Sequence, residues 1–159
     1  MIISTLQESL PNTRVAITPQ TAQQYQKKGL HVVAEEHIGL AAGFTKEQYQ
    51  NNSVELYTDT TLVLAQTNIL LCVNEPSPQI LCGLKSDSLI IAPVDNNPNT
   101  PFIEWCLAHK ISLFSMNLIP RISRAQNMDS LSSQSNLAGY KAVIEAVHYY
   151  HRAIPMMMT

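Results

Sequence analysis

The sequence predicts an α/β domain in which a mostly parallel sheet is covered by helices on both faces. Short apolar runs of four to six residues, rich in Ile, Leu and Val, recur along the first 115 residues. Segments with helical caps and amphipathic spacing lie between most of these runs. Strands that alternate with helices at this spacing are typical of parallel sheets. A length of 159 residues suits one domain with a substantial core.

Five segments have the length and composition of strands. They are Met1–Ser4, Leu30–Ala34, Asn68–Val73, Ser88–Ala92 and Ile111–Ser115. The helix between the first two of these strands has the clearest signals: Thr18 as N-cap, Pro19 at the first helical position and Gly29 as terminator. The pattern as a whole predicts three layers, with a Rossmann-like or flavodoxin-like strand order.

Four further helices are predicted between the strands. They are Lys46–Asn51, Thr58–Ala65, a short one at Pro78–Leu84 and one within 97–110. In the last of these, four apolar residues are expected to share one buried face: Phe102, Ile103, Cys106 and Leu107.

A long helix is expected at about Ser133–His151. Its apolar stripe consists of Leu137, Tyr140, Ile144 and Val147. No strand follows it, and the chain ends in "RAIPMMMT". We therefore interpret it as a connecting helix whose destination lies beyond Thr159.

Composition excludes several classes of function. A net charge of −2 without a basic stripe argues against nucleic-acid binding. Charged residues make up 14%, against a usual share of about 25%, which favours association with a partner. The apolar runs are too short to span a bilayer, and no signal peptide is evident. Three cysteines, Cys72, Cys82 and Cys106, lie in apolar surroundings without a C-x-x-C, which indicates a reduced, cytoplasmic compartment.

Common catalytic and ligand motifs are missing from the sequence. The five glycines never form a G-x-G-x-x-G or P-loop motif. His148 and His151 have a spacing that suits a metal pair, but no third ligand is near them in sequence, so we expect surface histidines and no metal site. Cys106 and His109 belong to one amphipathic helix, where the cysteine is expected to pack in the core.

The segment 121–136, "RISRAQNMDSLSSQSN", contains far more short polar residues than the rest of the chain. Arg121 and Arg124 lie near a mixed set of donors and acceptors that suits a ribose or a carboxamide: Gln126, Asp129, Ser132 and Ser133. The other interpretation is a helix N-terminus with surplus caps, in which Ser123 and Gln126 form a capping box. The residues alone leave both interpretations open.

Three stretches resemble the NAD(H)-binding alpha subunit of proton-translocating NAD(P) transhydrogenases, a family related to alanine dehydrogenase. They are "TRVAITP", "LLCVNEP" and, as the most specific, "PRISRAQNMDSLSSQSNLAGYKAVIEA". The resemblance covers nearly the whole chain. It implies that 1–132 form an N-terminal α/β domain and that 133–159 form the connecting helix and the start of a linker to an NAD-binding Rossmann domain, which the sequence lacks.

The resemblance also implies a reaction: direct hydride transfer between NADH and NADP⁺, of the Si-specific type, coupled to proton translocation and without an acid–base residue. Arg121 would hold the nicotinamide side of NAD(H) and pair with Asp129. Gln126 would contact the nicotinamide ribose and the hydride partner, and Ser132 would engage the carboxamide. These polar residues would then orient a neutral ring for hydride transfer.

Partners follow from the same resemblance. Membrane-embedded and NADP(H)-binding subunits are implied, with NADP(H) held on a partner subunit. A homodimer on the cytoplasmic side of the inner membrane, peripheral to it through the complex, is implied as well. The 159 residues alone are expected to be inactive.

Two alternatives stay open. In alanine dehydrogenases an arginine and a lysine grip the substrate carboxylate and a histidine handles the proton; Arg14 matches the first, but Asn74 replaces the lysine and "APVDNNP" contains no histidine. The chain also departs from the family's usual opening, because "IISTLQESLPN" keeps only a Glu before the Arg. The second alternative is a non-catalytic docking or dimerisation module.

Overall fold

A computed structural model describes residues 1–9 and 11–153 of the chain. The chain divides into two compact units, Met1–Leu118 and Ile119–Thr159. The first unit contains a sheet of six parallel strands in the order β3-β2-β1-β4-β5-β6. The strands are β1 (Ile2–Thr5), β2 (His31–Glu35), β3 (Glu55–Tyr57), β4 (Ile69–Leu71), β5 (Leu89–Ala92) and β6 (Ser112–Ser115).

The strand order confirms the α/β class and selects the Rossmann-like order over the flavodoxin-like one. From β1 the chain proceeds outward to β2 and β3, then returns to the other side of β1 and proceeds to β4, β5 and β6. Between β1 and β4 the direction of progress reverses. In open sheets of this kind, ligands bind at the carboxyl ends of the strands beside this reversal.

Helices connect most of the strands, and the start of the first one follows the predicted signals. Those of the first unit are α1 (Pro19–Lys27), α2 (Lys46–Asn51), α3 (Thr60–Gln66) and α4 (Pro101–Ala108). Thr18 caps α1 with a capping box that includes Thr21, and Pro19 occupies the first turn as predicted. Asp59 caps α3 by accepting the Thr61 N–H at 2.8 Å, so this helix begins at Thr60 and not at Thr58.

Apolar side chains from alternate positions of the strands build a core on each face of the sheet. On one face, Ile3 of β1 pairs in register with Val32 of β2 and packs with Tyr49 of α2. On the other face, Leu70 of β4 pairs with Ile90 of β5 and packs with Phe102 of α4. The sheet is therefore covered on both sides, as its near-continuous apolar strands require.

Three predicted details of the first unit need correction. The segment predicted as a helix at Pro78–Leu84 is a 3₁₀ helix, Pro78–Leu81. Leu107 does not share the buried face of α4, because 73% of its surface is exposed. Cys82 is exposed and does not lie in apolar surroundings.

The second unit contains a 3₁₀ helix, Ser123–Met128, and the long helix α5 (Ser130–Tyr149). The predicted start at Ser133 is wrong by three residues, because Asp129 supplies the cap. The predicted end at His151 is two residues late. The methionines of "RAIPMMMT" lie outside the described residues. None of the described helices is both long and apolar enough to cross a membrane.

Candidate functional site

The amino end of α5 brings two of the predicted cofactor residues into direct contact. Asp129 is the N-cap, and one of its carboxylate oxygens accepts the backbone N–H of Ser132 at 3.0 Å. The Ser132 hydroxyl donates to the second oxygen at 2.6 Å. Both oxygens are therefore engaged, and the hydroxyl proton of Ser132 points at Asp129. The lone pairs of that hydroxyl remain to accept a hydrogen bond.

Asp129 is held in its charged form. Its pKa lies below the usual value because the side chain and backbone of Ser132 donate hydrogen bonds to the carboxylate, with a smaller contribution from the positive charge of Arg121. The expected direct pair between Arg121 and Asp129 is not observed: these two described residues form no ion pair within 4.0 Å. Arg121 acts on Asp129 through space.

The side chains of Arg121 and Gln126 differ from those of Asp129 and Ser132, which bond to each other. Both side chains are exposed, and neither makes a hydrogen bond to another residue in the described part of the chain. Gln126 belongs to the 3₁₀ helix, and Arg121 precedes it by two residues. A guanidinium with five donors and an amide with both donor and acceptor are thus available to a ligand.

The capping interpretation explains only half of this segment. The N-cap of the 3₁₀ helix is Ile122, which has no side-chain hydrogen bond, so Ser123 and Gln126 do not form the expected capping box. One acid, Asp129, is sufficient to cap α5. Capping therefore accounts for Asp129 and Ser132, and among the described residues it does not involve the side chains of Arg121 and Gln126.

A second candidate site is the crevice at the carboxyl ends of β1 and β4, where the strand order reverses. It is an open cavity of about 590 Å³. Its lining includes Glu8, Arg14, Cys72, Asn74 and Glu75. The position is the one where sheets of this topology bind ligands.

Two acidic side chains beside this crevice accept hydrogen bonds from other residues of the same chain. Glu8 accepts the Val73 N–H at 2.6 Å and the side-chain amide of Asn74 at 2.9 Å. Glu35, at the carboxyl end of β2, accepts the N–H of Gln7 at 2.5 Å. In a dinucleotide-binding fold, an acid at the end of the second strand binds the ribose. Here the loop after β1 donates a hydrogen bond to this acid, Glu35, through the N–H of Gln7.

The residues compared with alanine dehydrogenase both line the crevice, but they do not form a second cationic grip. The Arg14 Nε donates to the Asn12 side chain at 3.0 Å. Asn74, in place of the lysine, donates to Glu8. The sequence interpretation missed Glu8 and Glu35, which lie beside this crevice. Glu8 is an acid three residues after the first strand, and Glu35 is an acid at the end of the second.

Two of the three cysteines are held in the thiol form by burial. Burial raises the pKa of Cys72 to about 12, with a further contribution from Glu8, and raises that of Cys106 to about 11, with Glu75 contributing. Thiols of this kind stay protonated. Within residues 1–9 and 11–153, no group of three or more His, Cys, Asp or Glu side chains is arranged to hold a metal ion.

Comparison with known proteins yields related chains over the whole length. The first part of an NAD(P) transhydrogenase subunit alpha from Rickettsia prowazekii is 38% identical over 164 residues, which cover 100% of this chain and 43% of the relative. The crystal structure of transhydrogenase from Sinorhizobium meliloti is similar with a TM-score of 0.87 at 37% identity, covering 100% of this chain and 48% of that one. The chain thus spans less than half the length of these relatives.

A more distant likeness concerns the fold alone. An L-alanine dehydrogenase structure has a TM-score of 0.67 at 18% identity, covering 73% of this chain and 32% of that one. The profile of the family described as "Alanine dehydrogenase/PNT, N-terminal domain" matches residues 5–138. With more than half of its length matched, the chain belongs to the alanine dehydrogenase/PNT N-terminal domain family.

Proposed function

We propose that this chain supplies a portion of the NAD(H)-binding component of a proton-translocating NAD(P) transhydrogenase. The observation that supports this most is similarity over 100% of the chain to two proteins named as transhydrogenases, at 37% and 38% identity. The likeness to L-alanine dehydrogenase is at the level of the fold. The engaged state of Asn74 also argues against a substrate-carboxylate grip of the alanine dehydrogenase kind.

The segment before α5 has the donor set that the nicotinamide end of NAD(H) would need. Arg121 and Gln126 are exposed and make no side-chain hydrogen bonds to described residues. Ser132 gives its proton to Asp129, so its oxygen would accept an N–H from the carboxamide. Bound NADH supplies the hydride, and these side chains orient its ring.

Asp129 has a positioning task in this proposal. Its two oxygens hold the backbone and the hydroxyl of Ser132, and its charge attracts Arg121. Hydride transfer needs alignment more than a proton relay, and small displacements of the reacting atoms lower its rate steeply. No acid–base residue is required for this step.

Partners and location belong to the proposal as well. The relatives carry subunit names, so we infer further subunits that span the membrane and hold NADP(H). The complete protein would be a homodimer on the cytoplasmic side of the inner membrane, bound to it through the complex. The reaction would be of the Si-specific type, and residues 133–159 would lead from the domain at 1–132 to the NAD-binding domain.

The test uses the complete subunit assembled with its partner subunits. We expect hydride transfer from NADH to an analogue of NADP⁺, measured by the absorbance of the reduced analogue. We expect no reduction of NAD⁺ when L-alanine is added. Alanine-dependent NADH formation without transhydrogenation would contradict the proposal. Absence of both activities in a folded, assembled complex would favour the docking-module alternative.

A further inference from the structure

One edge of the sheet is formed by β6, which has a single neighbour, β5. The Ser112 N–H donates to the Ser88 carbonyl at 2.9 Å, so the backbone groups of Ser112 point toward β5. Because the backbone groups of successive strand residues point to opposite sides, those of Phe114 also point toward β5, and those of Leu113 and Ser115 point away from the sheet. In the described part of the chain, no residue forms a hydrogen bond with these outward N–H and C=O groups.

The side chain of Phe114 lies on a part of the sheet that neither core reaches. Leu71 of β4 pairs in register with Ile91 of β5, which pairs with Phe114 of β6, so the three side chains share one face. Leu71 packs against the core that includes Tyr49 of α2, whereas Ile91 and Phe114 belong to neither core cluster. Phe114 is 48% exposed. This edge therefore presents an aromatic ring beside backbone groups without partners.

The two edge strands of the sheet differ in charge. β3, at the other edge, carries the exposed Glu55, and charged side chains on an edge strand discourage pairing with other chains. The sequence of β6, "SLFS", contains neither a charged residue nor a proline. An uncharged strand can pair with an identical strand without bringing like charges opposite each other. The composition of β6 therefore favours a second copy of this chain as its neighbour.

We propose that β6 pairs antiparallel with β6 of a second copy, around a two-fold axis at Phe114. The outward backbone groups of Leu113 bond those of the partner's Ser115, and the symmetry repeats these bonds on the other side of the axis. Phe114 then lies opposite the partner's Phe114 in a non-hydrogen-bonded pair, where side chains are close and aromatic pairs stabilise a sheet. This deepens the proposed function by giving its homodimer an interface, and it involves no residue of the hydride-transfer site.

A disulfide across the axis tests the pairing. Residues opposite each other in such a pair have Cα atoms about 4.5 Å apart, which a disulfide can join. Phe114→Cys is made with Cys82→Ser, which removes the exposed native thiol. The control is Leu107→Cys in the same background, since Leu107 of α4 is more exposed than Phe114. Under mild oxidation at about 0.1 mM protein, Phe114→Cys should form a covalent dimer about tenfold faster, because paired thiols have a local concentration of about 1 mM or more. Equal rates would overturn the proposal.

A pair of proline variants tests the backbone bonds. Leu113→Pro removes an outward N–H and leaves the bonds to β5 in place. The matched control is Leu56→Pro on β3, whose N–H also points away from the sheet because the neighbouring Tyr57 carbonyl accepts the Glu36 N–H at 2.8 Å. Sedimentation equilibrium should show a dimer for the wild type and Leu56→Pro, and a dimer about tenfold weaker for Leu113→Pro, which loses two bonds per dimer.

The outcomes separate this interface from the proposed function. A wild-type dimer in which Phe114→Cys cross-links no faster than Leu107→Cys would refute the β6 pairing and leave the homodimer standing. A monomeric wild type would refute both the pairing and a dimer formed by this chain, but not the hydride-transfer reaction. Equal weakening by the two proline variants would also count against β6.

Discussion

A single carboxylate, that of Asp129, determines both where α5 begins and how Ser132 is oriented. Several serines and amides in this segment are chemically able to cap a helix, so the start of α5 depends on which one lies at the right φ and ψ. Asp129 has extended backbone angles and accepts the Ser132 N–H. The cap and the proposed cofactor contact thus share one residue pair.

Arg121 and Gln126 provide a test that separates binding from capping. In the complete subunit, Arg121→Ala and Gln126→Asn should slow hydride transfer by about 100-fold, since a displacement of about 1 Å has that effect on an aligned transfer. Their Tm should change by no more than about 2 °C, because the substituted side chains are exposed. Rates and melting curves are measured on the same preparations.

The matched control for that experiment is Arg124→Ala. Arg124 is an exposed arginine of the same 3₁₀ helix and is not expected to contact the nucleotide. It should retain both rate and stability. A lower Tm with unchanged turnover in the Arg121 and Gln126 variants would support capping and remove the nucleotide assignment.

The three cysteines differ in environment and should differ in reactivity. Cys82 is exposed, whereas burial holds the pKa of Cys72 near 12 and that of Cys106 near 11. Because the thiolate is the reactive form, we expect one fast and two slow thiols in native labelling at about pH 8. Denaturation without reductant should then release three free thiols. A total below three would indicate a disulfide and contradict the reduced compartment.

At the scale of elements, the turn before α2 depends on one close approach. Gly39 has φ of +78°, and a Cβ added there would lie 2.6 Å from the hydroxyl of Tyr49. Tyr49 cannot withdraw, since it is fully buried and its hydroxyl donates to the Ile17 carbonyl at 2.9 Å. Burial raises its pKa to about 12. The turn at Gly39 and the position of Tyr49 in α2 therefore depend on each other.

Two glycines of this turn form a matched pair. Gly43 has φ of +83°, with nothing within 4 Å of an added Cβ. Gly43→Ala should therefore cost only the backbone strain, about 1–3 kcal/mol of unfolding free energy. Gly39→Ala should cost about 1–3 kcal/mol more because of the overlap with Tyr49. Urea unfolding of both variants measures the difference. Equal losses of unfolding free energy would show that the Tyr49 side chain moves to make room for the added Cβ.

Elements with strong local signals were predictable, and those fixed by distant contacts were not. Lys46–Asn51 was predicted to its bounds because Thr45 and Gln48 form a capping box within the segment. The strand Glu55–Tyr57 was missed, since it has three residues and a single neighbour, β2, that alone defines it. The Glu8–Asn74 contact joins residues 66 positions apart, and no local sequence pattern predicts it.

At the scale of the whole molecule, the 159 residues should bind NADH weakly at best. The first unit has the strand order of a dinucleotide fold but no glycine-rich turn, and its own loop occupies Glu35. The exposed polar groups of 121–136 would contact only the nicotinamide end. Calorimetry with NADH should give no resolvable binding at micromolar concentrations. A micromolar Kd for this chain would contradict the expected division of the nucleotide site.

The central place of β1 has a consequence for synthesis in the cell. Its neighbour β4 pairs Ile69 with Ile3, so β1 leaves the ribosome 66 residues before that neighbour does. At translation speeds of about 5–20 residues per second, the wait is about 3–13 s. During that time one edge of an apolar strand is unpaired and able to join other nascent chains. We therefore expect the yield of folded protein to depend on translation speed and on how well this strand is shielded during synthesis.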